Sequence, residues 1–167
     1  KTLVAAATAY AVVNSRPAGR ESGTLQVAYM APTEILASQH FQSFIEYFAH
    51  LPINIALITG SGCWKFPSKS AGWRTRSQAT TISRVQLLKW VENGEIAMVV
   101  GTHALIQKSI HFKHLAYAIV DEQHRFGVNQ RKALIRRSGV IPHFLSMTAT
   151  PIPRTFALTL YGDLDLS

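Results

Sequence analysis

Two apolar runs that stop abruptly at polar chemistry constrain this chain more than any other feature. The first, Ala118-Ile119-Val120, ends at Asp121-Glu122 and leads at once into Gln123, His124 and Arg125. The second, residues 144–147, ends at Thr148-Ala149-Thr150, with Pro151 and Pro153 behind it. A short apolar run without alternation is the mark of a strand buried on both faces, and such strands belong to parallel sheets covered by helices. An open sheet of that kind binds ligands beyond the carboxyl ends of its strands. Both runs therefore deliver their polar residues, two carboxylates and two hydroxyls, to the edge where ligands bind.

The remaining pattern predicts the same α/β class. Apolar runs at 25–30, 53–58, 96–100, 117–121 and 144–147 read as strands. Residues 3–14, rich in Ala and Val with almost no polar face, predict a helix packed on most sides. Thr33 is placed to cap a helix that carries Ala37, Phe41, Phe44, Ile45 and Phe48 on one face. Val85, Leu88 and Val91 fit a further helix that Gly94 ends. Residues 14–23 and 60–78 read as loops, from their Gly, Ser, Pro and basic content. Strands alternating with helices argue for a parallel, doubly wound sheet in one domain spanning 1–167.

The chemistry at the two strand ends suits nucleotide hydrolysis. Asp121 would hold Mg²⁺, largely through its water shell, and Glu122 would orient and deprotonate an attacking water. Two solvated carboxylates capping a helix are the plainer alternative. However, five consecutive polar side chains after a buried strand exceed what a turn needs. Thr148 and Thr150, held at the edge by prolines that stop the strand, could bond Gln123 or His124, or Thr150 could simply cap a helix. Lys1-Thr2 looks like the tail of a phosphate-binding loop, with Lys for terminal phosphates and the hydroxyl for Mg²⁺. The pair gains meaning mainly from lying ahead of Asp121-Glu122. The glycines of such a loop, and the strand feeding it, would precede Lys1. The expectation is then a fragment lacking an interior strand, poorly soluble and without ATPase activity alone.

Charge adds a second theme. The 167 residues carry 17 Lys+Arg against 9 Asp+Glu, a formal +8. No acid occurs between Glu46 and Glu92, an interval holding Lys65, Lys69, Arg74, Arg76, Arg84 and Lys89 beside Trp64, Phe66 and Trp73. Lys65, Lys69, Arg74 and Arg76 would meet phosphates of a polyanion, with Trp64 or Trp73 stacking on a base; a solvated basic insertion is the alternative. The single Cys63 excludes an internal disulfide and offers no zinc cluster, which suits a reducing, cytoplasmic compartment. No apolar run approaches the length of a membrane span, and the opening residues lack a signal-peptide pattern.

Several segments in register resemble a known family. Lys1-Thr2, the run Met30-Ala31-Pro32-Thr33-Glu34-Ile35-Leu36-Ala37-Ser38-Gln39-His40, the run Gly101-Thr102-His103-Ala104-Leu105-Ile106-Gln107, Asp121-Glu122-Gln123-His124 and Thr148-Ala149-Thr150 are similar to motifs I, Ia, Ib, II and III of superfamily 2 helicases. The likeness is to bacterial ATP-dependent DNA motors that remodel stalled forks and branched junctions, supported by Asn129-Gln130-Arg131 and Tyr161-Gly162-Asp163-Leu164-Asp165. Transcription-repair coupling factors share Arg125-Phe126-Gly127-Val128, but usually read Asp-Glu-Glu where this chain has Asp121-Glu122-Gln123. RNA helicases of the superfamily would typically show Asp-Glu-Ala-Asp or a similar quartet there.

The resemblance implies a RecA-like (P-loop NTPase) sheet with helices on both faces, ATP and Mg²⁺ as cofactors, and fork or junction DNA as partner. Residue by residue, it implies Lys1 and Thr2 at the phosphates and metal, Asp121 at the metal and Glu122 at the water. Gln123, His124, Thr148 and Thr150 would couple hydrolysis to movement. Thr33, Glu34, Gly101, Thr102 and His103 would lie along a DNA-facing edge whose phosphate contacts are independent of sequence. It also implies a second motor lobe with an arginine finger and an N-terminal wedge domain in the same parent chain. Segments 14–23 and 60–84 are longer than the family's usual. A non-catalytic nucleic-acid-binding domain derived from a motor lobe is the competing reading, but such a domain has no need of both acids.

Overall fold

The structure is a computed structural model that describes residues 1–15, 25–68, 79–107, 109–121 and 142–148. Its elements are α1 (Thr2–Asn14), β1 (Gln26–Met30), α2 (Glu34–Phe48), β2 (Ile55–Ile58), β3 (Cys63–Phe66), β4 (Thr80–Thr81), α3 (Arg84–Glu92), β5 (Met98–Gly101), a 3₁₀ turn at His103–Ile106, β6 (Leu115–Asp121) and β7 (His143–Met147). The strands form one sheet in the order β4-β3-β2-β5-β1-β6-β7. Strands β2, β5, β1, β6 and β7 run parallel, in the register Ile58↔Gly101↔Met30↔Val120 across the centre.

Alternate residues of these strands feed two cores. Val27, Tyr29, Ile55, Leu57, Met98, Val100, Tyr117 and Ile119 face α1 and α2. Ala28, Met30, Ala56, Ile58, Val99 and Val120 pack with α3 and the 3₁₀ turn. Helices on both faces explain why each central strand reads as a continuous apolar run. The face toward α2 holds the larger side chains. Phe41 and Phe44 are almost wholly buried there, and each contributes roughly 1.5–3 kcal/mol through apolar area removed from water. The α2 face is the one its spacing predicts, and the Thr33 hydroxyl accepts from Leu36 N–H at 3.3 Å as a helix cap.

Three expectations need correction. The interval 60–78 is not simply a loop: Cys63–Phe66 pairs antiparallel with β2, and Thr80–Thr81 pairs antiparallel with Trp64 and Lys65. The sheet is therefore mixed. A Gly-Ser turn closes the β2–β3 hairpin, with Thr59 N–H on the Gly62 carbonyl at 3.0 Å. Helix α1 is one-sided: Ala5, Ala6, Ala9 and Val13 are buried, whereas Leu3, Val4 and Tyr10 are exposed. Small residues at spacings of three to four let α1 sit close to the sheet, and the larger ones point away. In α3 the buried residues are Leu87 and Val91, while Val85 is exposed, because Ser83 caps the helix and sets its rotation. Gly94, at φ +79°, ends α3 as expected.

A buried amide closes the opposite end of the sheet. Gln26, fully buried at the start of β1, donates through Nε2 to the Val91 and Ile96 carbonyls, both at 2.9 Å. Its Oε1 accepts from His114 N–H at 2.9 Å. One side chain thus pins the α3–β5 turn and the approach to β6.

Candidate nucleotide site and the carboxyl edge of the sheet

Because five strands run parallel, their exits share one edge. From one side to the other these are Thr59-Gly60-Ser61 after β2, Gly101-Thr102-His103 after β5, Ala31-Pro32-Thr33 after β1, Asp121 at the end of β6, and Thr148 after β7. The described residues that the sequence marked for nucleotide chemistry and for the DNA-facing edge lie on this edge or at the start of α1, whereas Trp64 and Lys65 lie on β3.

Lys1 and Thr148 come together. Lys1 Nζ donates to the Thr148 carbonyl at 2.5 Å, which brings the start of α1 to the exit of β7. Helix α1 has no side-chain cap and no acid in its first turn. Its first-turn N–H groups therefore meet no carboxylate from the helix itself, the electrostatic setting an anionic ligand favours. Thr2 opens that turn, partly exposed. Among the described residues no cluster of three or more His, Cys, Asp or Glu side chains forms a closed metal cage. The oxygen donors present, the Asp121 carboxylate and the Thr2 hydroxyl, fit Mg²⁺, which takes one or two protein ligands and keeps waters or phosphates in its shell.

Asp121 is nearly buried and engages a residue that the sequence pattern left without a role. Its Oδ2 lies 3.2 Å from His40 Nε2 on α2. Behind His40 stands Tyr29 of β1, whose buried hydroxyl has no partner in bonding geometry among the described residues. Burial first, then the negative charge of Asp121 and the close approach to its carboxylate, hold the Tyr29 phenol well above its usual ionisation range. One signal could have marked His40: it is an imidazole set between Ala37 and Phe44, three and four residues away, on the buried stripe of α2.

The other half of the edge is built by backbone and hydrogen bonds. Glu34 Oε1 accepts from Gly60 N–H and its Oε2 from the Ser61 hydroxyl, both at 2.7 Å, tying the β2 exit to the start of α2. The Ser61 bond first, and then Gly60 N–H, hold the Glu34 carboxyl below the ordinary glutamate range. Gly101 sits where any side chain would collide: a Cβ there would be 2.5 Å from the Ile58 carbonyl oxygen. Thr102 starts the 3₁₀ turn, its carbonyl taking Leu105 N–H at 3.0 Å, and His103 is exposed on that turn. Arg84 of α3 donates to Gln107 Oε1 at 2.6 Å, bracing the same segment.

Lys65 is placed otherwise than expected of a phosphate contact. Its Nζ donates to Asn54 Oδ1 and the Pro67 carbonyl, both at 3.1 Å, and lies 5.7 Å from the centre of the Trp90 ring. Glu122, Gln123, His124 and Thr150 lie outside the described residues, as do Lys69, Trp73, Arg74, Arg76, Arg125, Arg131 and Arg154.

A mostly parallel sheet with helices, whose exits carry an acid, hydroxyls and a helix-opening lysine, is the RecA-like fold of helicase lobes. The chain belongs to the DEAD/DEAH box helicase family, whose family model matches residues 1–158. Within that family it is similar to the ATP-dependent DNA helicase RecG. It is 47% identical to the Aquifex aeolicus protein over 168 residues, covering all of this chain and 18% of that protein. To the Thermotoga maritima protein it is 43% identical over 168 residues, again all of this chain and 18% of the relative. The structure of RecG bound to a three-way DNA junction superimposes with a TM-score of 0.62 at 35% identity, covering 93% of this chain and 17% of that one. The chain thus spans about a fifth of the length of these relatives.

Proposed function

We propose that this chain is the first motor lobe of an ATP-dependent DNA helicase that remodels branched DNA and stalled replication forks in recombination and repair. The observation that carries the reading is the convergence of Lys1, Thr148 and Asp121 on the carboxyl edge, in a chain matched along its length by RecG. The partners are fork or junction DNA, and the second motor lobe and N-terminal wedge domain of the same parent. The setting is the bacterial cytoplasm; no helix among the described residues is long and apolar enough to cross a membrane.

In this reading Lys1 and the first-turn N–H groups of α1 bind the terminal phosphates of ATP. Thr2 and Asp121 hold Mg²⁺, Asp121 partly through water; bound Mg²⁺ supplies charge neutralisation on those phosphates. Glu122 orients the attacking water and takes its proton. Gln123 and His124, with Thr148 and Thr150, transmit the change at the phosphates to the rest of the motor. Thr33 and Glu34 shape the DNA-facing edge, one by starting α2 and the other by holding Gly60-Ser61, and Gly101, Thr102 and His103 complete it. The test is Glu122→Gln in the full-length parent: ATP and DNA binding persist while DNA-stimulated hydrolysis is largely lost. Near-normal turnover in that variant would refute the assignment and favour a non-catalytic DNA-binding role.

A further inference from the structure

His40 occupies an unusual place for an imidazole. It lies on the buried stripe of α2, with its side chain 15% exposed, and its partner Asp121 is 12% exposed. An aliphatic residue would fill that position without desolvating a polar ring. An ionised carboxylate can only accept, so the hydrogen between Nε2 and Oδ2 belongs to the imidazole. The ring is held from behind: Tyr29 lies against it with centroids 4.9 Å apart at 52°. Tyr29 is itself fixed edge-on to Phe44, with centroids 5.1 Å apart at 71°. A packed aromatic column therefore aims one N–H at one oxygen of Asp121, from a helix 81 residues away in sequence.

We propose that His40 is a positioning residue for Asp121, holding Oδ2 so that the carboxylate presents a single orientation to the Mg²⁺ shell. The proposal rests on Asp121 being the magnesium carboxylate. Its physical basis is the softness of the torsion that turns an aspartate carboxyl, which is broad and nearly two-fold unless something fixes an oxygen. Partners of metal ligands typically cost about 10–100-fold in metal affinity or activity when removed. Where the ion is held largely through water the lower end applies, so the expected loss is roughly tenfold. Helix α2 also starts at Thr33 and Glu34, so the same rigid element carries the β2-exit clamp and the contact to Asp121.

The experiment uses the full-length parent and a ribose-labelled, non-hydrolysable ATP analogue, titrated with Mg²⁺ and followed by fluorescence rather than turnover. His40→Phe keeps the ring against Tyr29 and removes the donor; it should raise the Mg²⁺ half-saturation roughly tenfold and leave metal-free nucleotide affinity unchanged. His40→Gln, whose amide N–H reaches the place of Nε2–H, should bring it back to within about threefold of wild type. Melting without nucleotide checks the fold, and if the phenylalanine variant melts more than a few degrees low, His40→Met replaces it in the same titration. A donor-less variant that titrates like wild type, or a glutamine variant no better than phenylalanine, overturns the proposal. Asp121→Asn separates it from the reading beneath: if that change leaves Mg²⁺ dependence unaltered, Asp121 is not the magnesium ligand and both fall.

Discussion

Replacing Gln26 by Met removes three hydrogen bonds at one stroke while nearly keeping the side chain's length. His114 N–H loses its acceptor; a buried donor left unsatisfied costs about 1–3 kcal/mol, and partial exposure at His114 places this near the lower end. The Val91 carbonyl retains Gly94 N–H at 3.1 Å, so its loss is on the order of 0.5 kcal/mol. The Ile96 carbonyl loses its bond from Nε2, about 1 kcal/mol. The sum is roughly 2–3 kcal/mol, a rise of about 30- to 150-fold in the local opening equilibrium. Hydrogen exchange by mass spectrometry on the full-length parent reads this directly, in peptides covering residues 25–30, 91–97 and 112–118. Gln26→Glu should be worse, because it sets a carboxylate oxygen against two carbonyls while still serving His114. Both variants lie at the end of the sheet away from Asp121, so Mg²⁺-dependent nucleotide binding should survive under conditions where the protein stays folded. Exchange within about threefold of wild type in all three peptides for Gln26→Met would show that the amide network carries no such weight.

Gly101→Ala should cost at least about 1–3 kcal/mol, because its Cβ would meet the Ile58 backbone oxygen at 2.5 Å, and a ladder carbonyl cannot rotate aside. Melting of the parent should fall, and DNA affinity should drop with it; unchanged melting would contradict the packing between β2 and β5. Lys65→Ala should leave the slope of log DNA affinity against log salt within about 0.3 of wild type, since a lost phosphate contact would shift it by about 0.7–0.9. A full shift in that titration would mean that Lys65 leaves Asn54 and Pro67 to bind DNA.

The parallel core was legible because β1, β2, β5 and β6 are buried on both faces, and a run such as Val27 to Met30 has no polar position to confuse the reading; β7, at the border, is only half-buried. The same logic concealed the β3–β4 hairpin. Trp64 and Lys65 are only half-buried and Thr80–Thr81 is exposed, so composition there resembles a loop, and the pairing is dictated by the edge of β2. Helix α1 misled for another reason: Leu3, Val4 and Tyr10 are apolar without being buried, and periodicity cannot see which apolar residues find a neighbour. At the site, Asp121 and Thr148 stood out because strand exits are visible in sequence, whereas Lys1 gained meaning mainly from lying ahead of Asp121-Glu122. Glu34 was read as part of a DNA-facing motif, and only the fold shows its carboxylate on Gly60 and Ser61. The His40–Asp121 pair was invisible, since it depends on β1 and β6 lying side by side.

The order of the strands also decides where this protein can tolerate growth. The stretch of chain that joins β3 to β4 leaves from one border of the sheet, and the Thr148 exit belongs to the other. Six strand spacings, roughly 29 Å at about 4.8 Å each, lie between those borders. Because β3 and β4 lie outboard of the five parallel strands, lengthening either of them shifts none of the five parallel exits relative to one another. The exits after β2, β5, β1 and β6 have no such latitude, because each is counted off from a strand paired on both sides.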